Sequence, residues 1–299
     1  MKILILGGSY FFGRVFVEYA KKSHDLAVLN RGTYPLKDQK VRQYVLNRHD
    51  VEGIGELQPE EYDAVIDFCG YRQGDISGFI GNYRGKVKQY IFVSTVDVYE
   101  RQTGTVKDEA APYEYRPISG EAGEYIGGKI SLEKELMKCA ELYQISYTIV
   151  RPAILYGRYN YAPRESYYAR SIAEGKAVEY PVDASGLFQF VYVDDAVKML
   201  EALCGNEKAY NECFNFCSDE IVDYPKFFDI LKQEAGEKPK IRDIRLSEIT
   251  GQYFPFPLTK NETELYEGKK ICEYTGLKYT DFVSSMSETV RYFIDIFKK

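Results

Sequence analysis

The sequence predicts an α/β fold built on a doubly wound parallel sheet, with a smaller C-terminal lobe. Three observations predict it. Short, β-branched apolar runs alternate with helical stretches through the first half, the pattern of strand–helix–strand units. The chain has 299 residues, enough for one large domain carrying an appended lobe. Its opening run, Lys2-Ile3-Leu4-Ile5-Leu6, passes directly into Gly7-Gly8-Ser9-Tyr10-Phe11-Phe12-Gly13 and then a helix, which is how a doubly wound sheet begins.

Taken in order, residues 2–6, 26–29, 64–68, 88–94 and 146–150 read as strands. The first apolar run is too short for a signal peptide and lacks a small-residue cleavage site, so a cytoplasmic protein is expected. Phe12, Val15, Phe16 and Tyr19 recur at helical spacing over 12–22, and Leu132, Leu136 and Cys139 mark a longer helix over 124–143. After Arg151-Pro152 the periodicity loosens, and the aromatic, charged segment 158–188 is expected to be an irregular lid. A strand at 188–193 and a helix from near Asp194 follow, with Asp194 or Asp195 as its N-cap. Glu133 reads as a solvated or salt-bridged helix residue. Cys213 and Cys217 flank Phe214-Asn215-Phe216, an ordinary strand. Residues 1–157 form the first domain, 189–216 return to its sheet, and the rest of 158–299 makes the lobe. Within that lobe Phe254-Pro255-Phe256-Pro257 reads as a loop and 279–297 as the last helix.

Composition narrows the function. A net charge of −6 provides no footprint for a phosphate backbone, and no apolar run reaches the length of a membrane span. A small-molecule substrate is therefore expected, with neither nucleic acid nor membrane as partner. The two histidines, His24 and His49, and six scattered cysteines lack zinc-ligand spacing, so no metal is expected and the thiols read as reduced.

Glycines between a strand and a helix let the backbone approach a pyrophosphate at the helix N-terminus, which makes Gly7, Gly8, Ser9, Tyr10, Phe11, Phe12 and Gly13 candidate cofactor residues. Tyr10 stands where a dinucleotide loop usually has glycine. The second strand ends in Leu29-Asn30-Arg31-Gly32, with no carboxylate for a ribose 2′-hydroxyl. Asn30 and Arg31 suit a 2′-phosphate better, favouring NADP with NAD as the alternative; the other reading of Arg31 is a solvated loop residue. Asp50, after the next strand, is a candidate for the adenine amino group.

These motifs are followed by Phe68-Cys69-Gly70, Ser94-Thr95-Val96-Asp97-Val98-Tyr99, Tyr125-Ile126-Gly127-Gly128-Lys129, Arg151-Pro152-Ala153-Ile154-Leu155-Tyr156-Gly157 and Val191-Tyr192-Val193-Asp194-Asp195-Ala196. In that order they resemble the extended or atypical short-chain dehydrogenase/reductases, also called the NAD-dependent epimerase/dehydratase family. The resemblance implies a Rossmann fold, an NAD(P) cofactor, a homodimer and a Thr95, Tyr125, Lys129 catalytic set. It also implies that Phe68, Cys69, Gly70 and Pro152 adjoin the cofactor, that Lys129 holds the nicotinamide ribose, and that Thr95 bonds the reacting oxygen.

Tyrosine followed four residues later by lysine recurs at Tyr266/Lys270 and Tyr274/Lys278, but only Tyr125 opens a long helix after the Ser-Thr strand end. That spacing puts both side chains on one helical face. A free phenol titrates near pH 10; a nearby ammonium and a nicotinamide cation are expected to bring it towards neutrality.

The implied activity is an NAD(P)-dependent oxidoreductase, reductase or epimerase/dehydratase-like, acting on a hydroxyl or carbonyl carbon of a sugar-like or other small polar substrate. Where nucleotide-sugar members often carry arginine, this chain has Phe188-Gln189-Phe190. Arg164 has two readings, a contact to a substrate anion or a surface ion pair. The rival to an enzyme is a catalytically silent Rossmann protein, an NADP sensor or an RNA-binding protein like the plant relatives whose first turn also lacks the middle glycine.

Overall fold

The computed structural model describes residues 1–34, 38, 40–102, 104–160, 162–236, 240–249 and 263–299. The expected loop at 254–257 lies outside them. Seven strands, β1 (Lys2–Leu6), β2 (Asp25–Asn30), β3 (Val41–Val45), β4 (Ala64–Asp67), β5 (Gln89–Val93), β6 (Ser146–Pro152) and β7 (Glu212–Phe216), form one sheet in the order β7-β6-β5-β4-β1-β2-β3. Every pairing in it is parallel. Strand order reverses at β1, and in such a sheet the crevice at that switch point, beyond the carboxyl ends, receives the ligand.

Strand alternation divides the core between the two faces. Ile3 and Ile5 pack with Val15 and Phe16 of the helix Phe11–Ala20 and with Val197 and Leu200 of Val193–Leu203. On the other face, Leu4 and Leu6 pack with Phe79, Leu132 and Leu136, the last two from the helix Gly120–Tyr143. The lobe has its own core, in which Phe190, Phe227, Phe228, Met286 and Phe293 bring the helices Tyr224–Ala235 and Phe282–Phe297 against a small sheet. No helix among the described residues is long and apolar enough to cross a membrane.

Three expectations change. Within 189–216, β7 and the helix Val193–Leu203 join the first domain, but the strand Phe188–Tyr192 pairs with Ile154–Tyr156 and Ile221–Val222 in a separate sheet. Its phenylalanines explain the departure: Phe188 lies 5.1 Å from Tyr224 and Phe190 5.1 Å from Phe282, ring to ring. The segment 158–188 is not irregular throughout, since it contains the helix Glu165–Ala173 and the strand Val178–Pro181. Neither Asp194 nor Asp195 caps a helix, because both lie inside its first turn. Asp195 instead accepts from the Thr280 amide and hydroxyl at 2.6 and 2.8 Å, and Asp194 pairs with Arg158 at 2.9 Å.

Candidate active site

The glycine-rich turn depends on residues without a side chain. Gly7 and Gly8 have φ of +96° and +71°, the left-handed region that glycine enters without steric cost. A Cβ on Gly13 would stand 2.8 Å from Gly8 Cα, so the turn and the helix it feeds touch backbone to backbone. No side chain caps that helix at Tyr10, which leaves first-turn N–H groups for an anion. Phe11 holds φ at +33°, a conformation costing about 1–3 kcal/mol in a residue with a Cβ.

At the end of β2, Asn30 Oδ1 accepts from Gly32 N and Gln43 Nε2, both at 2.8 Å. Its buried Nδ2 has no partner and remains a donor for a ribose or phosphate. Arg31 is exposed beside it. Asp50 uses its carboxylate to cap the helix Val51–Glu56, accepting from Gly53 N at 3.0 Å, and does not line the cleft described next.

A cleft of about 1010 Å³ runs between the carboxyl ends of the strands and the lobe. Its wall gathers Tyr10, Phe11, Phe12, Gly13, Phe68, Thr95, Tyr125, Lys129, Pro152 and Arg164. Gly7, Gly8, Ser9, Cys69 and Gly70 lie outside that wall; an added Cβ on Gly7 would be 3.3 Å from Cys69 Cβ.

Lys129 is 3 % exposed and donates to the carbonyls of Gly70 at 2.9 Å and Val93 at 2.8 Å. Burial brings its ammonium down to about 8. The Tyr125 ring is 39 % exposed in the cleft, yet its phenol is pushed up to about 12, by desolvation first and then by the charge of Asp97, against a hydrogen bond with Thr95 and the charge of Arg164. The expected drop towards neutrality is therefore absent in the protein alone. A positive charge brought by a bound cofactor would lower the phenol.

Asp97 escaped the sequence reading although it stands within the quoted motif. Thr95 Oγ1 donates to its carboxylate at 3.0 Å and accepts from its amide at 3.2 Å. Arg48 had no sequence signal at all. Its guanidinium is 8 % exposed and meets the fully buried Asp67 through two 2.9 Å bonds. Burial drives the Asp67 carboxyl up, but the Arg48 charge together with hydrogen bonds from Arg48, Tyr90 and the Cys69 amide outweighs it, leaving the carboxyl below its ordinary value. Asp67 also accepts from the Tyr90 hydroxyl at 2.7 Å and from Cys69 N at 2.9 Å. The pair thus anchors the Phe68-Cys69-Gly70 turn that supplies one carbonyl to Lys129. A second buried pair, Arg151 with Glu133 at 2.6 Å, stands behind Pro152; Glu133 is salt-bridged and not solvated.

From the lobe, Arg164 enters the cleft with no carboxylate partner among the described residues. The adjacent Glu165 is fully buried, accepts from Asn160 Nδ2 at 2.9 Å and Gly157 N at 3.2 Å, and is pushed up to about 7 by burial. Its ordinary value is 4.5, so between these values the folded state binds the proton more tightly and stability falls as pH rises. Glu165→Gln is expected to remove this decline, a differential of roughly 3 kcal/mol. Denaturant midpoints of both proteins at pH 5 and pH 8 check it, and parallel pH dependence would contradict it. Tyr266 lines the same cleft despite its distance in sequence, whereas Tyr274 packs on Phe214 at 4.9 Å.

Residues 79–216 match the sequence model of the NAD dependent epimerase/dehydratase family. The chloroplast stem-loop binding protein of 41 kDa b from Arabidopsis thaliana is 25% identical over 242 residues, 75% of this chain. The chain spans 60% of that relative's length. The fold is that of UDP-glucose 4-epimerase from Thermotoga maritima, with a TM-score of 0.77, 21% identity and 99% of each chain covered. It is shared by a dTDP-glucose 4,6-dehydratase from Streptomyces venezuelae with NAD bound, at a TM-score of 0.77, 18% identity and coverage of 99% and 97%. Thermus thermophilus UDP-glucose 4-epimerase, solved with NAD, scores 0.75 at 19% identity, covering 98% of this chain and 99% of its own.

Proposed function

We propose that this protein, whose residues 79–216 match the sequence model of the NAD dependent epimerase/dehydratase family, is an enzyme that oxidises and reduces a hydroxyl-bearing carbon of a small polar substrate. One observation carries the reading: a single cleft joins the glycine-rich turn to Thr95, Tyr125 and Lys129. When bound, a nicotinamide dinucleotide supplies a ring that takes up and returns hydride.

The chain's own residues do the rest. The open N-terminus of Phe11–Ala20 would hold the diphosphate, and the donor of Lys129 not used on Gly70 and Val93 would serve the nicotinamide ribose. Thr95 bonds the reacting oxygen, Tyr125 receives and returns its proton at the phenolic oxygen, and Arg164 presents its charge to the substrate. Screening purified protein against sugar-nucleotide and carbonyl compounds tests the proposal. Cofactor-dependent turnover supports it, and cofactor binding with no turnover in the full screen counts against it.

NADP(H) is the proposed cofactor, on the support of Arg31, the partnerless Asn30 donor and the absence of an acid at the β2 end. It is expected to bind about tenfold more tightly than NAD(H), the worth of one charged hydrogen bond. Arg31→Ala should erase the preference. Titration calorimetry decides it, since equal affinities in the unmutated chain contradict the assignment.

The Arabidopsis relative, by name a stem-loop binding protein, favours one second reading, RNA binding without turnover. Salt-sensitive binding of stem-loop RNA by a protein inactive in the screen is the result that distinguishes it.

A further inference from the structure

We infer that the lobe end of the cleft is an anion subsite, in which Arg101 holds a phosphate or carboxylate carried by the substrate beside the ring of Tyr266. This rests on the enzyme reading above and adds a substrate class to it.

Apart from Arg164, whose charge acts on the Tyr125 phenol, the basic groups around Arg101 are occupied. Lys107, 4 % exposed, is paired with Glu264. Arg116 donates from Nε and Nη2 to Glu114, both at 2.9 Å. Glu114 also accepts from the amides of Arg101 at 3.0 Å and Arg116 at 2.9 Å, and the Arg116 contact holds it down to about 2. Its charge is thus spent on Arg116, while its oxygens fix the loop through the backbone. A further bond from Arg116 Nη2 to the Arg101 carbonyl, 2.6 Å, completes the clasp. The Arg101 guanidinium is left in the cleft wall with no carboxylate partner among the described residues.

Its neighbours are equally well held. Gln189, 6 % exposed, acts as a strand partner for Tyr266, donating to its carbonyl at 3.0 Å and accepting from its amide at 2.7 Å. The short strand Leu265–Tyr266 also pairs with Val106–Lys107, and the Tyr266 ring lies 6.0 Å from Tyr99. Arg101 and Tyr266 line the same cleft, and the charge of the exposed Arg101 reaches both the Tyr266 phenol and the Lys107 ammonium. Asp97 also acts on Tyr266, and its carboxylate is held on the Thr95 side by the Thr95 hydroxyl. A planar guanidinium in this setting matches the paired oxygens of a phosphate or carboxylate.

Binding, and not turnover, tests this. Tyr125→Phe protein saturated with NADP(H) is titrated by calorimetry with glucose 6-phosphate, glucuronate and glucose. At least one charged hexose is expected to bind about tenfold more tightly than glucose, as a charged hydrogen bond provides. Arg101→Gln in the same background should cancel the advantage and Arg101→Lys should keep part of it; whichever charged probe wins distinguishes phosphate from carboxylate. The inference is overturned if glucose binds as well as both charged probes, if none binds, or if the advantage survives Arg101→Gln. Failure of the enzyme reading alone looks different: the unmutated protein then binds cofactor and turns over nothing in the full screen, while the Arg101 dependence of binding stays.

Discussion

Tyr125→Phe is expected to fold, to keep its affinity for the cofactor and to lose about 10²–10⁴-fold in turnover, the range that a positioned proton donor contributes. The change removes one oxygen. The ring keeps its place 6.4 Å from Tyr71, and the helix Gly120–Tyr143 loses none of its buried residues. Tyr274→Phe is the control and should leave turnover near normal, since that ring packs on Phe214 outside the cleft. Tyr266→Phe cannot serve beside it, because Tyr266 lines the cleft. Steady-state kinetics on an accepted substrate checks the pair, and equal losses in both variants would contradict the assignment.

Arg48→Met is expected to cost about 3–5 kcal/mol of stability, because it leaves Asp67 charged and buried without its partner. Asp67 is fully buried and takes both terminal nitrogens of Arg48, so no solvent replaces the lost bonds. Adding Asp67→Asn should recover much of the loss, since the orphaned charge is then gone. The effect should extend to the site: with the Phe68-Cys69-Gly70 turn loosened, Lys129 loses a fixed acceptor at Gly70. Urea unfolding of the single and double variants measures this. A loss below about 1 kcal/mol in Arg48→Met would place the pair among weak surface contacts.

The first half of the fold was legible because parallel strands buried on both faces leave continuous apolar runs. β1, the turn after it and the helix at Phe11–Ala20 follow from the nineteen consecutive residues 2–20. The ordered motifs also located Thr95, Tyr125, Lys129 and Pro152, which one cleft brings together. What stayed hidden depends on contacts between distant segments. The strand Phe188–Tyr192 carries an apolar pattern compatible with either sheet, and only the aromatic faces of Tyr224 and Phe282 decide. Arg48 and Asp67 look like a loop cation and a strand-end acid until they meet 19 residues apart. Glu165 lies in the segment expected to be irregular, yet it opens a helix and is fully buried. Tyr266 reaches the cleft because Gln189 pins its backbone there. The state of the Tyr125 phenol was unreadable for a related reason: it depends on its burial and on the charges of Asp97 and the distant Arg164 around it.

The most direct test of the central assignment is isotope transfer. Purified protein is supplied with NADPH or NADH carrying deuterium at the hydride position, together with sugar-nucleotide and carbonyl compounds, and products are read by mass spectrometry. Deuterium is predicted to appear on a single carbon of a product with the unmutated chain and to fall by about 10²–10⁴-fold in rate with Tyr125→Phe. Transfer at the same rate in both proteins, or cofactor binding without transfer to any compound, would contradict it.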